Sequence, residues 1–389
     1  MQPSRRLFLA IAAGVAVANV YFAQPLVVTM GTDLGIPPGR VGLFVTITQV
    51  GYGFGLFFLV PLGDLVDRRR LIRFQFLLLA AALLLTGFAH NAALLLLGLA
   101  AIGLLAVVVQ SLVAFAASLS YPAEVGKVVG GVTSGIVIGI LLARTVSGLL
   151  ADLAGWRSVY LVSSLLSLLI AATLFRTTPQ NKAKLSYYAL LRSTVSLWTE
   201  PLFRARAVLA LLIFAAFSTL WSSVALPLSS QGLSHAAIGG FGLVGAAGAL
   251  AAGPAGRLND RGRGALTTLA ALTLLTMSWL PLAFTPKSLW ALAIGAILLD
   301  LAVQAVHVSN QSMIYGLRPE AGSRLIGAYM VFYSIGSGVG AIASTTLYAA
   351  FGWIAVCLLG ATFSLSALVV AGLGVRRSSR ASLLCGSCR

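Results

Sequence analysis

Apolar runs of about twenty residues, separated by short polar stretches, fill almost the whole chain. A helix needs about 20 apolar residues to cross a bilayer. Twelve runs reach that length, at 7–30, 41–62, 71–89, 93–118, 128–151, 157–175, 205–228, 237–256, 265–285, 289–312, 324–347 and 351–374. Several connections are only a few residues long, which forces antiparallel neighbours. The pattern predicts an all-α polytopic membrane protein of twelve transmembrane helices. Residues 176–204 are polar and basic with Pro179 and Pro201, and they divide the runs into two sets of six. We therefore read an N-terminal half at 1–175, a linker at 176–204, a C-terminal half at 205–375 and a tail at 376–389. Within the linker, Tyr187, Tyr188, Leu191, Val195 and Trp198 recur near helical spacing, as in an amphipathic helix lying on a membrane surface; the alternative is a mostly disordered linker.

Composition agrees. Hydrophobic residues make up 59% and charged residues 9%, and mean hydropathy is +0.98. A soluble domain carries about 25% charged residues, so lipid is the main solvent. The net charge of +17 does not signal nucleic acid, because the charges sit in short loops with no continuous basic face. Their placement instead sets orientation. Of 26 Lys and Arg, all but Arg40, Arg144, Arg157 and Lys287 fall in segments on the side of the N-terminus. The positive-inside bias then puts both termini in the cytoplasm. The opening Ser4-Arg5-Arg6 reads as an anchor of the first span, since further spans follow it. Three cysteines make no disulfide framework; Cys357 lies in an apolar run, and Cys385 and Cys388 lie in the tail. Trp156, Trp290 and Trp353 are expected in the interfacial belt, and His90 and His235 in loops without a specific role.

Gly63-Asp-Leu-Val-Asp67-Arg68-Arg-Arg70 returns 193 residues later as Gly256-Arg-Leu-Asn-Asp260-Arg261-Gly-Arg263. Gly155-Trp156 returns as Gly352-Trp353, Gly139 as Gly336, Ser147 as Ser344 and Pro122 as Pro319, all at an offset of 197. The two halves run in the same direction, as parallel repeats.

These hairpins resemble the signature loop of the major facilitator superfamily (MFS), between spans 2 and 3 and again between 8 and 9, and the resemblance extends over the whole chain. The segments Tyr21-Phe-Ala-Gln24-Pro25 and Gln49-Val-Gly51-Tyr52-Gly53 are similar to a branch of uncharacterised bacterial members near the drug/proton antiporters. The resemblance implies two six-helix halves in a bacterial inner membrane, with spans 1, 4, 7 and 10 lining a central cavity. It also implies cytoplasmic gate hairpins at Gly63, Asp67, Arg68, Arg70, Gly256, Asp260, Arg261 and Arg263, with Asp67 latching the halves together. Alternatively, the arginines serve only to fix topology. Two departures stand out. Arg144 occupies the proline position of the span 5 exporter motif, and Val107 stands where many exporters carry an arginine in span 4.

A charge at bilayer depth costs about 3 kcal/mol and calls for a partner or a task. Asp300, Gln304, His307 and Gln311 share one face of span 10. We expect Asp300, with His307 and Gln304 beside it and Arg144 as a charge partner, to be the proton-coupling site; the alternatives are a permanent structural pair and a contact for substrate charge. Asn19, Gln24, Gln110, Phe217, Trp221, Gln304 and Gln311 are candidates for the substrate pathway. Pro25 and Pro227 are expected to kink spans 1 and 7. No catalytic, metal or cofactor site is expected, because neither a nucleophile–base motif nor a nucleotide loop is present. The sequence thus predicts a proton-coupled secondary transporter of small organic molecules, exporting them by alternating access and functional as a monomer. An uptake symporter or an uncoupled facilitator is the alternative, and a membrane-embedded enzyme a distant one.

Overall fold

The computed structural model describes residues 2–121, 124–174, 186–315, 317 and 322–386. Pro122, Pro319, Cys388 and most of the polar half of the linker lie outside them, as do the side chains of Asp260 and Cys385. Among the described residues, ten helices are long and apolar enough to cross a membrane. They are span 2 (Pro38–Asp64), span 3 (Arg68–Gly87), span 4 (Ala92–Ser118), span 5 (Val125–Ala154), span 6 (Trp156–Thr173), span 7 (Pro201–Ser230), span 9 (Gly264–Leu282), span 10 (Leu289–Tyr315), span 11 (Leu325–Phe351) and span 12 (Trp353–Gly374). Two more passes are broken helices: span 1 as Pro3–Ala18, Gln24–Leu26 and Val27–Asp33, and span 8 as His235–Gly240, Phe241–Gly245 and Ala246–Asp260.

The breaks in spans 1 and 7 lie at prolines. Pro25 has no N–H to bond the carbonyl four residues back, and the chain around it runs on tighter bonds, from Gln24 N–H to the Tyr21 carbonyl at 3.2 Å and from Leu26 N–H to that of Ala23 at 3.0 Å. Span 7 breaks at Val224 and restarts as Ala225–Ser230, which contains Pro227.

Small residues set how closely the spans pack. A Cβ on Gly139 of span 5 would collide with the backbone of Gly14 in span 1, and one on Gly336 of span 11 with the backbone of Leu211 in span 7. Adding 197 to the first pair gives the second, so the duplication repeats a contact between spans as well as residues. The turns from span 5 to 6 and from 11 to 12 repeat too, on Gly155 (φ +78°) and Gly352 (φ +75°), where a side chain would be strained.

The halves meet along two seams. In one, Gly42 of span 2 abuts the Ala341 carbonyl of span 11; in the other, Gly239 of span 8 abuts the Arg144 carbonyl of span 5. These contacts are again related by 197. Chain direction places the hairpins and the helix Tyr187–Ser196 at the face where the chain begins, called here the terminal face. This helix begins at Tyr187, whose hydroxyl donates to the Phe58 carbonyl at 2.8 Å.

Candidate functional site

A cavity of about 780 Å³ lies between the halves. It reaches from Arg144 and Asp300 to Asp64, Arg68 and Tyr315 at the terminal face. On the opposite face the seams close it.

Its inner end holds two buried charges from different halves. Asp300, on span 10, is 7% exposed, and Arg144, on span 5, is 3% exposed. They do not touch; Trp221 of span 7 stands between them. Its indole Nε1–H donates to Asp300 Oδ1 at 3.1 Å, while the Arg144 guanidinium lies over its ring face at 4.1 Å. Phe217, one turn away, brings a second ring to within 5.6 Å of the guanidinium. A desolvated cation–π contact is worth about 2 kcal/mol, so the aromatic face partly replaces the water that Arg144 lost. The break in span 1 supplies more: Gln24 Oε1 accepts from Arg144 Nε at 2.6 Å. One guanidinium nitrogen still has no hydrogen-bond partner. Span 8 approaches through glycines, since a Cβ at Gly242 would meet the Arg144 side chain and one at Gly245 the Asp300 carboxylate.

Toward the terminal face lies a second polar group. His307 Nδ1 pairs with the Tyr329 hydroxyl at 3.1 Å, and Gln311 Nε2 lies 3.1 Å from His307 Nε2. One tautomer satisfies both contacts: Nδ1–H donates to Tyr329, and Nε2 accepts from Gln311. Tyr21 of span 1 and Tyr333 of span 11 join across the halves, hydroxyl to hydroxyl, at 2.7 Å.

Of the residues singled out in the sequence, the structure gathers Asp300, Arg144, Gln24, Phe217 and Trp221 into one cluster. Gln110, Gln304, His307 and Gln311 line the same cavity further out. Asn19 does not belong to it: its side-chain amide donates to the Val15 carbonyl and accepts from Ser163 of span 6, so it fastens span 1 inside its own half. Asp300 bonds to Trp221, and neither His307 nor Gln304 is its partner. Helical spacing aligns these residues along one face, but a rise of 1.5 Å per residue keeps Asp300 and His307 about two turns apart.

At the hairpins, Asp67 caps span 3 by accepting from the Arg70 N–H at 2.9 Å. Arg68 binds Asp64 at 3.0 Å and donates to the Gly63 carbonyl at 3.0 Å. Arg70, Arg261 and Arg263 are exposed, and Gly256 has its nearest outside neighbour in Val308. Two expected belt tryptophans are instead packed: Trp156 donates to Asp33 at 3.1 Å and Trp353 to the Leu282 carbonyl at 2.8 Å. Trp290 is 81% exposed. His235 is no idle loop residue, for it bonds to Asp152 and Thr29. Sequence reasoning also missed Tyr21, Tyr333 and Tyr329. Tyr329 and Tyr333 lie one turn apart on span 11, which was the only hint available.

A family model described as Major Facilitator Superfamily matches residues 9–285 and 207–383. The chain belongs to the major facilitator superfamily. It is a multi-pass membrane transporter of that family. It is 45% identical over 387 residues to the putative uncharacterized transporter YgaY of Escherichia coli strain K12, covering 98% of each chain. A purine ribonucleoside efflux pump, NepI of Shigella dysenteriae serotype 1, is 28% identical over 215 residues, 54% of this chain and 53% of that one. In fold, the chain is similar to the crystal structure of a bacterial homolog to the human lysosomal transporter Spinster in its inward-facing, occupied conformation. That TM-score is 0.72 at 15% identity, covering 97% of this chain and 98% of the other.

Proposed function

We propose that this superfamily member is a proton-coupled exporter of small organic molecules, working as a monomer in a bacterial inner membrane by alternating access. The observation that carries the reading is Asp300: a buried carboxylate at the inner end of a cavity that reaches one face, with a tryptophan N–H as its bonded partner in place of an ion pair. A carboxylate held this way exchanges a proton with whichever side the cavity faces. Loading and unloading it from opposite sides links proton flow to the alternation. The positive-inside distribution makes the terminal face cytoplasmic, so the cavity is open to the cytoplasm and can load cargo for export. Similarity to a purine ribonucleoside efflux pump supports the export direction. The rings of Tyr21, Phe217 and Trp221 near Arg144 suit flat, weakly charged molecules.

Asp300→Asn tests the coupling in proteoliposomes carrying an imposed pH gradient. The expected result is loss of gradient-driven transport, by at least about tenfold, with substrate counterflow retained. Unchanged gradient-driven transport overturns the assignment. The competing reading, an uncoupled facilitator, draws on the Trp221–Asp300 bond as a purely structural tie. It predicts that a proton gradient changes nothing in the wild-type protein.

A further inference from the structure

The face opposite the termini is sealed unequally along its two seams. Between spans 2 and 11 the polar ties are hydroxyl-to-backbone contacts: Gly42 N–H donates to Thr345 Oγ1 at 3.2 Å, and Thr346 Oγ1 donates to the Gly39 carbonyl at 3.1 Å. Between spans 5 and 8 a charged group takes part. Asp152, near the end of span 5, accepts from the backbone N–H of His235 at 3.1 Å and from that of Ala236 at 2.8 Å. Its Oδ1 also lies 2.6 Å from His235 Nδ1. The other ring nitrogen, Nε2, meets the Thr29 hydroxyl of span 1. A single neutral tautomer satisfies the whole set: Nδ1–H donates to Asp152, and Nε2 accepts from Thr29. His235 belongs to the C-terminal half, and Thr29 and Asp152 to the N-terminal half. One side chain therefore ties two elements of the opposite half with both of its ring nitrogens.

The glycine contacts of the two seams are related by the internal repeat, but this polar knot is not. Pro38, the position equivalent to His235 at the offset of 197, has no side-chain donor. The knot also lies on the same helix as the buried guanidinium. Asp152 follows Arg144 by two turns of span 5, while Thr145 Oγ1 donates to the Gly239 carbonyl of span 8 at 3.1 Å. Any separation of spans 5 and 8 at this face pulls on both.

We propose that His235 is the positioning residue of a latch that holds this face shut, and that opening the latch moves Arg144 relative to span 8, linking the gate to the buried site. The inference rests on the alternating-access reading above, but its test reads conformation and is independent of coupling. Spin labels at Phe88→Cys and Phe284→Cys, both exposed, report the distance between the halves at this face in full-length protein in nanodiscs, with the native cysteines replaced by serine. His235→Ala and Asp152→Asn are each expected to lower the ratio of closed to open populations about tenfold, the effect of about 1.4 kcal/mol. Thr29→Ala is expected to act in the same direction with a smaller shift. The double variant His235→Ala/Asp152→Asn should add little to either single one, because both cut the same contact. Asp152→Asn keeps one acceptor oxygen but loses the charge and the second acceptor, since the His235 and Ala236 N–H groups donate to different oxygens; with a side chain still in place, it stays informative if the alanine variant folds poorly. Shifts below about threefold in both single variants, or fully additive shifts in the double variant, overturn the latch.

Discussion

Arg144 shows what a single residue can demand of its surroundings. A guanidinium this deep in a membrane protein needs acceptors or a π-face, and it has Gln24 and Trp221. Arginine suits the site because its planar group lies flat on an indole while its edge donates, whereas an ammonium is a compact, strongly hydrated point charge. Arg144→Lys is therefore expected to lower the transport rate about tenfold or more while the protein remains monodisperse; wild-type rates would show that charge alone suffices. The sequence marked Arg144 and Asp300 because charges are rare in apolar spans. It also suggested Gln24, Phe217 and Trp221 as path residues. It did not reveal that Trp221 links the two charges, because helical spacing reports neighbours on one helix and says nothing of partners on another. Tyr21 and Tyr333 were hidden for a related reason: a tyrosine in an apolar run looks the same whether it faces lipid, a cavity or another helix.

At the level of the helices, legibility was higher, since the solvent dictates the pattern. Twelve apolar runs became twelve passes, and the prolines at 25 and 227 coincide with breaks. The fine structure of those breaks was not readable. The 3₁₀ stretch at Phe241–Gly245 follows from local packing around glycines that admit Arg144 and Asp300. Span 5 allows a controlled test of glycine's role. Gly139 faces the backbone of Gly14 at a separation that excludes a methyl group, whereas Gly130 has open space around it. Gly139→Ala should destabilise the protein by about 1–3 kcal/mol through overpacking, visible as a lower thermal midpoint. Gly130→Ala should be neutral or slightly stabilising, because alanine is the better helix former. Equal midpoints for the two variants would show that spans 1 and 5 separate at little cost.

For the whole molecule, a cavity that reaches the terminal face and closed seams on the other define one end state of a cycle, and the hairpins must behave differently in the other. Family resemblance gives Asp67 the role of a latch between the halves at the terminal face. Here its carboxylate caps span 3, and the cavity reaches that face. A latch there and the His235 knot opposite it would be made in alternation, so that each end state is held by its own polar contacts and neither dominates. Asp67→Asn separates the two roles of the residue. Asparagine caps a helix about as well as aspartate, so thermal stability in this state should stay within about 0.5 kcal/mol of wild type. The negative charge is lost, however, and a charge-dependent latch with it. The expected outcome is a several-fold drop in transport rate with an unchanged melting midpoint, and a shift of the Phe88→Cys/Phe284→Cys label distance toward the closed state of the opposite face. Asp67→Ala removes cap and charge together and should also lower the midpoint by about 1 kcal/mol in equivalent stability. If Asp67→Asn transports at the wild-type rate, the aspartate is a helix cap in every state and closure of the terminal face depends on other contacts.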